Sequence, residues 1–316
     1  MNAPRVTVII PTFNHPGTVA WAVRSVQEQT VTDIRIVVIG DGVTDATRAA
    51  LAPILAADDR VEFLDRPKTK RHGEEYRDEV IRATGSPVIA YCGDDDLLHP
   101  DHLESMLEDL TGCDFTNPLP VFINPDDSLM VIPTDLSRAD VLHWHVDARV
   151  MNNAVSLHGV SHTRESYLRL PEGWRTTPPG WPTDLHMWQK FFKDPAFRGR
   201  TSTRSTTAKF YATARGELSP EERGAELERY YERMHRPGFT AEWAAAVNKA
   251  IWDNSVNRLL DTTHHHILLE DAAIRAAATR VELASLKAEA AELDRMRRTF
   301  SWRITAPLRA IRSRLR

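Results

Sequence analysis

Residues 5–10, 34–39, 61–64 and 87–92 form short, mostly apolar runs, each stopped by a Pro, Gly or Asp at its end. Between them, residues 17–29 place Val19, Ala22, Val23 and Val26 on one helical face, and 44–55 and 74–83 read as two further helices. Nearly uniform apolar strands alternating with helices predict a mostly parallel sheet flanked by helices, an α/β fold of Rossmann type. Ligands of such sheets bind beyond the carboxyl ends of the strands. That rule selects residues 11–14, 40–45 and 93–96.

From about residue 112 the pattern loosens. Strands are predicted at 121–123 and 129–132 around an Asn-Pro-Asp-Asp turn, a loop over the Pro- and Trp-rich stretch 171–182, and helices over 184–192, 219–234 and 241–260. The chain therefore divides into 1–111, 112–215, a helical extension over 216–262, and a coiled-coil-like helix with a basic tail over 263–316. No apolar run approaches the roughly 20 residues that a membrane-spanning helix needs. The start shows no secretory leader pattern, so the expected location is cytoplasmic, with a peripheral site at the inner face of the membrane as the further option. Cys92 and Cys113 have neither disulfide-framework nor zinc spacing and read as buried thiols. The net charge of −4 conceals an asymmetry, because residues 295–316 hold eight arginines and no acid. The acidic remainder excludes a phosphate-backbone footprint, and no nucleic-acid partner is expected.

Candidate chemistry centres on Asp94-Asp95-Asp96 at the end of the fourth strand. Ionised carboxylates about 5 Å apart repel by roughly 3 kcal/mol per pair at an effective dielectric near 20. A hard divalent cation, Mn²⁺ or Mg²⁺, whose shell substrate phosphates complete, relieves that cost. A solvated turn before a helix with Pro100 in its first position is the other reading. Lys68, Lys70, Arg71, His72 and Arg77 form the one basic cluster ahead of the aspartates, suited either to a bound anion or to a solvated face.

Five stretches, in order and at matching spacing, carry a resemblance: 8–14 (Val-Ile-Ile-Pro-Thr-Phe-Asn), 25–30 (Ser-Val-Gln-Glu-Gln-Thr), 36–45 (Ile-Val-Val-Ile-Gly-Asp-Gly-Val-Thr-Asp), 77–79 (Arg-Asp-Glu) and 91–100 (Tyr-Cys-Gly-Asp-Asp-Asp-Leu-Leu-His-Pro). Over residues 5–105 the chain resembles the family 2 glycosyltransferases of the GT-A fold. The resemblance implies inverting, metal-assisted transfer of a sugar from a UDP-, GDP- or dTDP-linked donor to a glycan or lipid-linked acceptor hydroxyl. It makes 1–111 the nucleotide-sugar half and 112–215 the acceptor half. By position it implies that Asp41 accepts a hydrogen bond from the base, Phe13 helps enclose it, Pro11 belongs to the donor-binding set, and Asp94 lies near the ribose. Asp95 becomes the metal ligand, Arg77 a donor-binding cation, and His72 and Asp96 secondary members. Gly40 and Gly93 stand where many members have aspartate, and Val43 replaces a serine.

An inverting reaction needs a base on the sugar face opposite the leaving diphosphate. The segment 182–188 (Pro-Thr-Asp-Leu-His-Met-Trp) resembles the family's acidic segment and implies Asp184 as that base, although a helix N-cap is the ordinary role for such a residue. His186 contacts the acceptor or packs, and Trp174, Trp181 and Trp188 stack on a sugar or fill the core. His264-His265-His266 reads as a surface feature, because consecutive helical positions diverge.

In the tail, Leu269, Ala272, Ala276, Thr279, Leu283, Leu286, Ala290, Leu293, Arg297 and Phe300 follow steps of three and four, a heptad seam. Segment 267–300 is therefore expected to join a second copy or an assembly partner, or to lie on its own domain. Apolar residues interleaved with arginine over 295–316 suit an anionic membrane surface or a docking protein, with Pro307 interrupting the helix. Residues 301–309 also resemble a tail of bacterial surface-polysaccharide enzymes. The functional expectation is a glycosyltransferase of cell-surface glycan assembly (O-antigen, capsule or similar). The competing reading is a catalytically silent GT-A module serving as a scaffold, and a nucleotidyltransferase is the third.

Overall fold

The computed structural model describes residues 3–147, 153–298 and 305. The first half follows the predicted alternation: β1 (Val6–Thr12), α1 (Val19–Gln27), β2 (Ile34–Asp41), α2 (Asp45–Ala57), β3 (Val61–Arg66), α3 (Glu74–Ala83) and β4 (Val88–Tyr91). Then come β5 (Leu97–Leu98), α4 (His102–Asp109), β6 (Phe115–Asn117), β7 (Val121–Ile123), β8 (Leu129–Val131) and α5 (Ala139–Val146). The second half closes with β9 (Ser161–Thr163), α6 (Arg164–Arg169), α7 (Thr183–Phe192), β10 (Gly199–Thr201), β11 (Thr207–Phe210), α8 (Pro220–Met234) and α9 (Phe239–Arg298).

Among the described residues the main sheet runs β10-β6-β9-β4-β1-β2-β3. Its β3-β2-β1-β4 half is parallel, Val6 lying opposite both Ile34 and Val88. β9 enters antiparallel between β4 and β6, so the sheet is mixed rather than wholly parallel. Alternation along β1 explains the two cores. Val8 and Ile10 face α1 and α2 with Val23, Val26 and Leu51. Ile9 faces the other side with Tyr91, Phe115, Trp174, Trp188 and Phe191. Cys92 and Cys113 are free and buried, as expected.

A smaller sheet, β5-β11-β7-β8, packs Ile123 and Phe210 against Leu227, Tyr230 and Met234 of α8 and against Phe239 and Trp243 at the start of α9. Ser219 starts α8 with a reciprocal capping box to Glu222, and Pro220 takes the first turn. The helix lies backbone to backbone on the loop after β1. A Cβ on Gly17 would stand 1.9 Å from the Pro220 carbonyl oxygen, and one on Gly224 2.7 Å from that of Gly17. Gly17→Ala is therefore expected to cost about 1–3 kcal/mol by overpacking, measured as a fall in urea midpoint at unchanged slope. A midpoint equal to wild type would show that the helix yields freely.

The chain divides into two compact units, Met1–Trp252 and Asp253–Arg316. Within the second, residues 255–298 are helical and exposed throughout, including the seam residues Leu269, Leu283, Leu286 and Leu293 and the histidines 264–266. Of the predicted basic tail over 295–316, residues 299–304 and 306–316 lie outside the described residues. Among the described residues no helix is long and apolar enough to cross a membrane.

Candidate functional site

The carboxyl ends of β1, β2 and β4, where sheet topology places a ligand, open into a cavity of about 650 Å³. Pro11, Phe13, Asp41, His72, Arg77, Asp94, Asp95, Asp96 and Asp184 all line it, whereas His186 does not. The β7-β8 hairpin adds an apolar wall of Phe122, Met130 and Ile132.

At one end, Asp41 is buried at the last position of β2. Its carboxylate accepts hydrogen bonds from the Thr69 backbone N–H (2.6 Å) and hydroxyl (3.1 Å) and pairs with Lys68. The Lys68 ammonium also lies 4.7 Å from the centroid of Phe13, which is 48% exposed at the cavity mouth. Gly40 leaves room for Phe63, whose ring would stand 2.8 Å from an added Cβ. An aspartate there would meet the Phe63 ring.

Arg77 on α3 is buried, with its guanidinium 4.7 Å from the Trp174 ring centroid. Nη2 donates to the His72 carbonyl at 2.7 Å, while Nε and Nη1 have no hydrogen-bond partner among the described residues. Burial pushes its pKa down, and Glu74 opposes that. Two N–H groups facing an unfilled need are expected of a cation placed for an anion. Trp174 is held by its indole N–H donating to Tyr91 Oη (3.0 Å), and its backbone N–H donates to Tyr167 Oη (2.7 Å), which donates in turn to Asp78 (2.6 Å). Trp188 is likewise buried in this core. Trp181 sits outside the cavity lining, 6.5 Å from His186 ring to ring.

The acidic run is matched by cations from distant segments. Asp94 Oδ2 pairs with His15 Nδ1 at 2.9 Å, an interaction that, with the nearby negative charge, raises the imidazole to about 9. Asp96, 1% exposed, accepts from Lys209 Nζ (2.8 Å) and from the Phe210 backbone N–H (2.9 Å). Burial alone would raise its pKa, but Lys209 and the surrounding donors hold it below the usual carboxylate range. Asp95 is pushed up to about 7 by burial and by its two acidic neighbours. Its Oδ2 lies 3.5 Å from Arg223 Nη2 on α8. The repulsion expected from three adjacent aspartates is thus offset by side chains of this chain at Asp94 and Asp96 and persists at Asp95.

Gly93 completes the arrangement: its N–H donates to His158 Nδ1 (3.1 Å), and a Cβ there would stand 2.7 Å from Asp96 Oδ2. Among the described residues no group of three or more His, Cys, Asp or Glu side chains is arranged around a common metal position. One or two carboxylates with substrate phosphates nevertheless suffice for Mg²⁺ or Mn²⁺. Asp95, with Asp94 beside it on the cavity wall, fits that donor set.

Asp184 lies in the first turn of α7, and the capping position is Pro182, so the N-cap reading of Asp184 does not hold. Its Oδ1 accepts from Asn153 Nδ2 and the Leu185 N–H, both at 3.0 Å, and Oδ2 accepts from the Leu157 N–H at 3.2 Å. A carboxylate has about four acceptor sites, so one on Oδ2 remains for a hydroxyl in the cavity. Asn153, His15, His158, Lys209 and Arg223 are members of the site that sequence reasoning missed. His15, one residue beyond the segment 11–14 that the strand-end rule selected, was the one within its reach.

Residues 7–139 match the family described as Glycosyl transferase family 2. The chain is 25% identical over 105 residues to the GalNAc(5)-diNAcBac-PP-undecaprenol beta-1,3-glucosyltransferase of Campylobacter jejuni, covering 33% of this chain and 34% of that protein. It is 32% identical over 106 residues to chondroitin synthase of Escherichia coli, covering 34% and 15% respectively. The match thus spans about a third or less of these relatives' length. Among solved structures, S. aureus TarS 1-349 aligns at a TM-score of 0.48 with 13% identity, over 73% of this chain and 71% of that one. The mannosyltransferase PcManGT of Pyrobaculum calidifontis aligns at 0.45 with 18% identity, over 79% and 75%. The protein has a GT-A-like fold, a mostly parallel sheet flanked by helices and followed by the carboxyl-terminal helices α8 and α9.

Proposed function

We propose that this protein transfers a sugar from a nucleotide-sugar donor to an acceptor hydroxyl with inversion, in the assembly of a cell-surface glycan. The observation that carries the reading is convergence: Asp41, Arg77, Asp95 and Asp184, from four separate segments, line one cavity at the carboxyl ends of parallel strands. Asp41 and Phe13 receive the base, and Arg77 meets negative charge on the donor. Asp184 takes the proton of the attacking hydroxyl through its remaining Oδ2 site. Asp95 and Asp94 would hold a divalent cation, which when bound would supply charge stabilisation for the departing nucleoside diphosphate. Trp174 and Thr183 line the same cavity.

The test is a panel of UDP-, GDP- and dTDP-sugars with Mn²⁺ and simple glycan acceptors, read as release of nucleoside diphosphate. Release from at least one donor is expected. Silence with every donor would leave the scaffold reading, and pyrophosphate in place of nucleoside diphosphate would signal nucleotidyl transfer. Asp95→Asn is expected to weaken Mn²⁺ and nucleoside-diphosphate binding together by about tenfold or more, the loss of one charge-assisted contact. Titration calorimetry checks it, and an unchanged Mn²⁺ affinity would remove Asp95 from the ligand set.

A further inference from the structure

A second cavity of about 250 Å³ adjoins the first behind the acidic run; His15 and Asp95 line both, and Arg215, Pro220 and Arg223 complete its far side. Arg223 lines the second cavity and contacts Asp95, which lines both. Its Nη1 is anchored on Glu226 at 2.6 Å, and its guanidinium lies 5.7 Å from the Phe210 ring centroid. Its Nη2 reaches the Asp95 carbonyl at 3.4 Å and Oδ2 at 3.5 Å, outside the range of a strong charge-assisted bond. One end of the side chain is thus fixed and the other is loosely engaged. Glu226 is itself clamped from the opposite side by Arg215, which donates at 2.8 and 2.9 Å and holds the Ile123 carbonyl at 2.9 Å. Gly17 and Gly224 let α8 sit backbone to backbone on the loop after β1.

We propose that Arg223 is an exchangeable counter-cation of the donor site: it neutralises Asp95 while the site is empty, and turns to the donor's diphosphate when a divalent cation takes its place on Asp95. The proposal rests on the donor-site reading above. The asymmetry among the three aspartates supports it. Asp94 and Asp96 have close partners at 2.9 and 2.8 Å, and Asp95 alone has a long one. A metal ion arriving at Asp95 therefore displaces a weak contact, and the freed Nη2 remains tethered beside it through Nη1. Arginine suits the second task, because its planar fork binds phosphate oxygens while holding a carboxylate on another edge. Asp95 and His15, the wall that the two cavities share, separate the guanidinium from the donor cavity, so the turn carries Nη2 past Asp95 while Nη1 stays on Glu226.

Calorimetry on the full chain distinguishes exchange from simple support, because exchange predicts two effects of opposite sign. In Arg223→Gln, MnCl₂ alone is expected to bind about fivefold or more tighter, since a competing cation has gone. UDP or GDP at saturating Mn²⁺, whichever wild type binds, is expected to bind about tenfold weaker. Arg223→Lys keeps the charge without the fork and is expected to fall between wild type and Arg223→Gln in both titrations; it serves as the test if the glutamine variant does not fold. Both affinities falling together, as for a merely structural residue, or both unchanged, would overturn the exchange while leaving the donor site standing. A wild-type chain that binds neither Mn²⁺ nor any nucleoside diphosphate would overturn the donor reading, and this inference with it.

Discussion

Asp184→Asn is expected to lower the rate of sugar transfer by about 10³-fold while nucleoside-diphosphate affinity stays within about twofold of wild type. The amide keeps an oxygen to accept from Asn153 and the Leu185 N–H, so the start of α7 should remain in place. What it loses is basicity. The Leu157 N–H would face an NH₂ group in place of Oδ2, a local mismatch of about 1–3 kcal/mol that acts on the loop and not on the part of the cavity around Asp41. Steady-state kinetics and calorimetry separate these effects. A fall in kcat at constant diphosphate affinity identifies the proton acceptor, whereas a parallel loss of both would show that Asp184 only holds the loop. Turnover near that of wild type would exclude it as the base.

How much of this site could be read beforehand depended on whether its parts advertise themselves locally. β2 did, because six nearly continuous apolar residues can be buried on both faces only inside a sheet; the structure extends it over Gly40 to Asp41. α3 was predicted over its full range, Glu74–Ala83, and the structure shows that its buried face carries Arg77, Val80 and Ile81. The strand-end rule then picked out Asp41 and Asp95 before any side chain was placed.

By contrast β5, β9, β10 and β11 are two to four residues long, too short for periodicity to register, and their pairing is decided by the sheet already present. β9 supplies the antiparallel step that the alternation of the first half gave no reason to expect. The surroundings of the acidic run were not legible either. Sequence displays three adjacent carboxylates and their repulsion, but not that His15, Lys209 and Arg223 lie beside them. His186, one turn-fraction from Asp184 on the same helix, points away from the cavity because α7 buries Leu185, Met187 and Trp188 instead.

Lys209→Met tests this counter-ion arrangement and carries the largest expected effect on stability, a loss of about 3–5 kcal/mol in urea unfolding. The reasoning starts from Asp96. With 1% exposure, its carboxylate has left water completely, and the Phe210 N–H at 2.9 Å satisfies only one oxygen. Lys209, 2.8 Å away, supplies the other interaction and the compensating charge. Methionine preserves most of the stem's packing beside Phe122 but leaves a buried carboxylate alone, which is more costly than removing the pair. Adding Asp96→Asn should therefore recover part of the loss, giving a coupling of about 1–3 kcal/mol in the double-mutant cycle. The consequence for function follows from position. Asp96 packs where a side chain at residue 93 would otherwise go, so disturbing it shifts the turn that presents Asp95 to the cavity. Donor affinity should fall in the single variant and recover in part in the double one. A Lys209→Met protein within about 0.5 kcal/mol of wild type would show that water reaches Asp96 and that the acidic run is solvated, not neutralised from within.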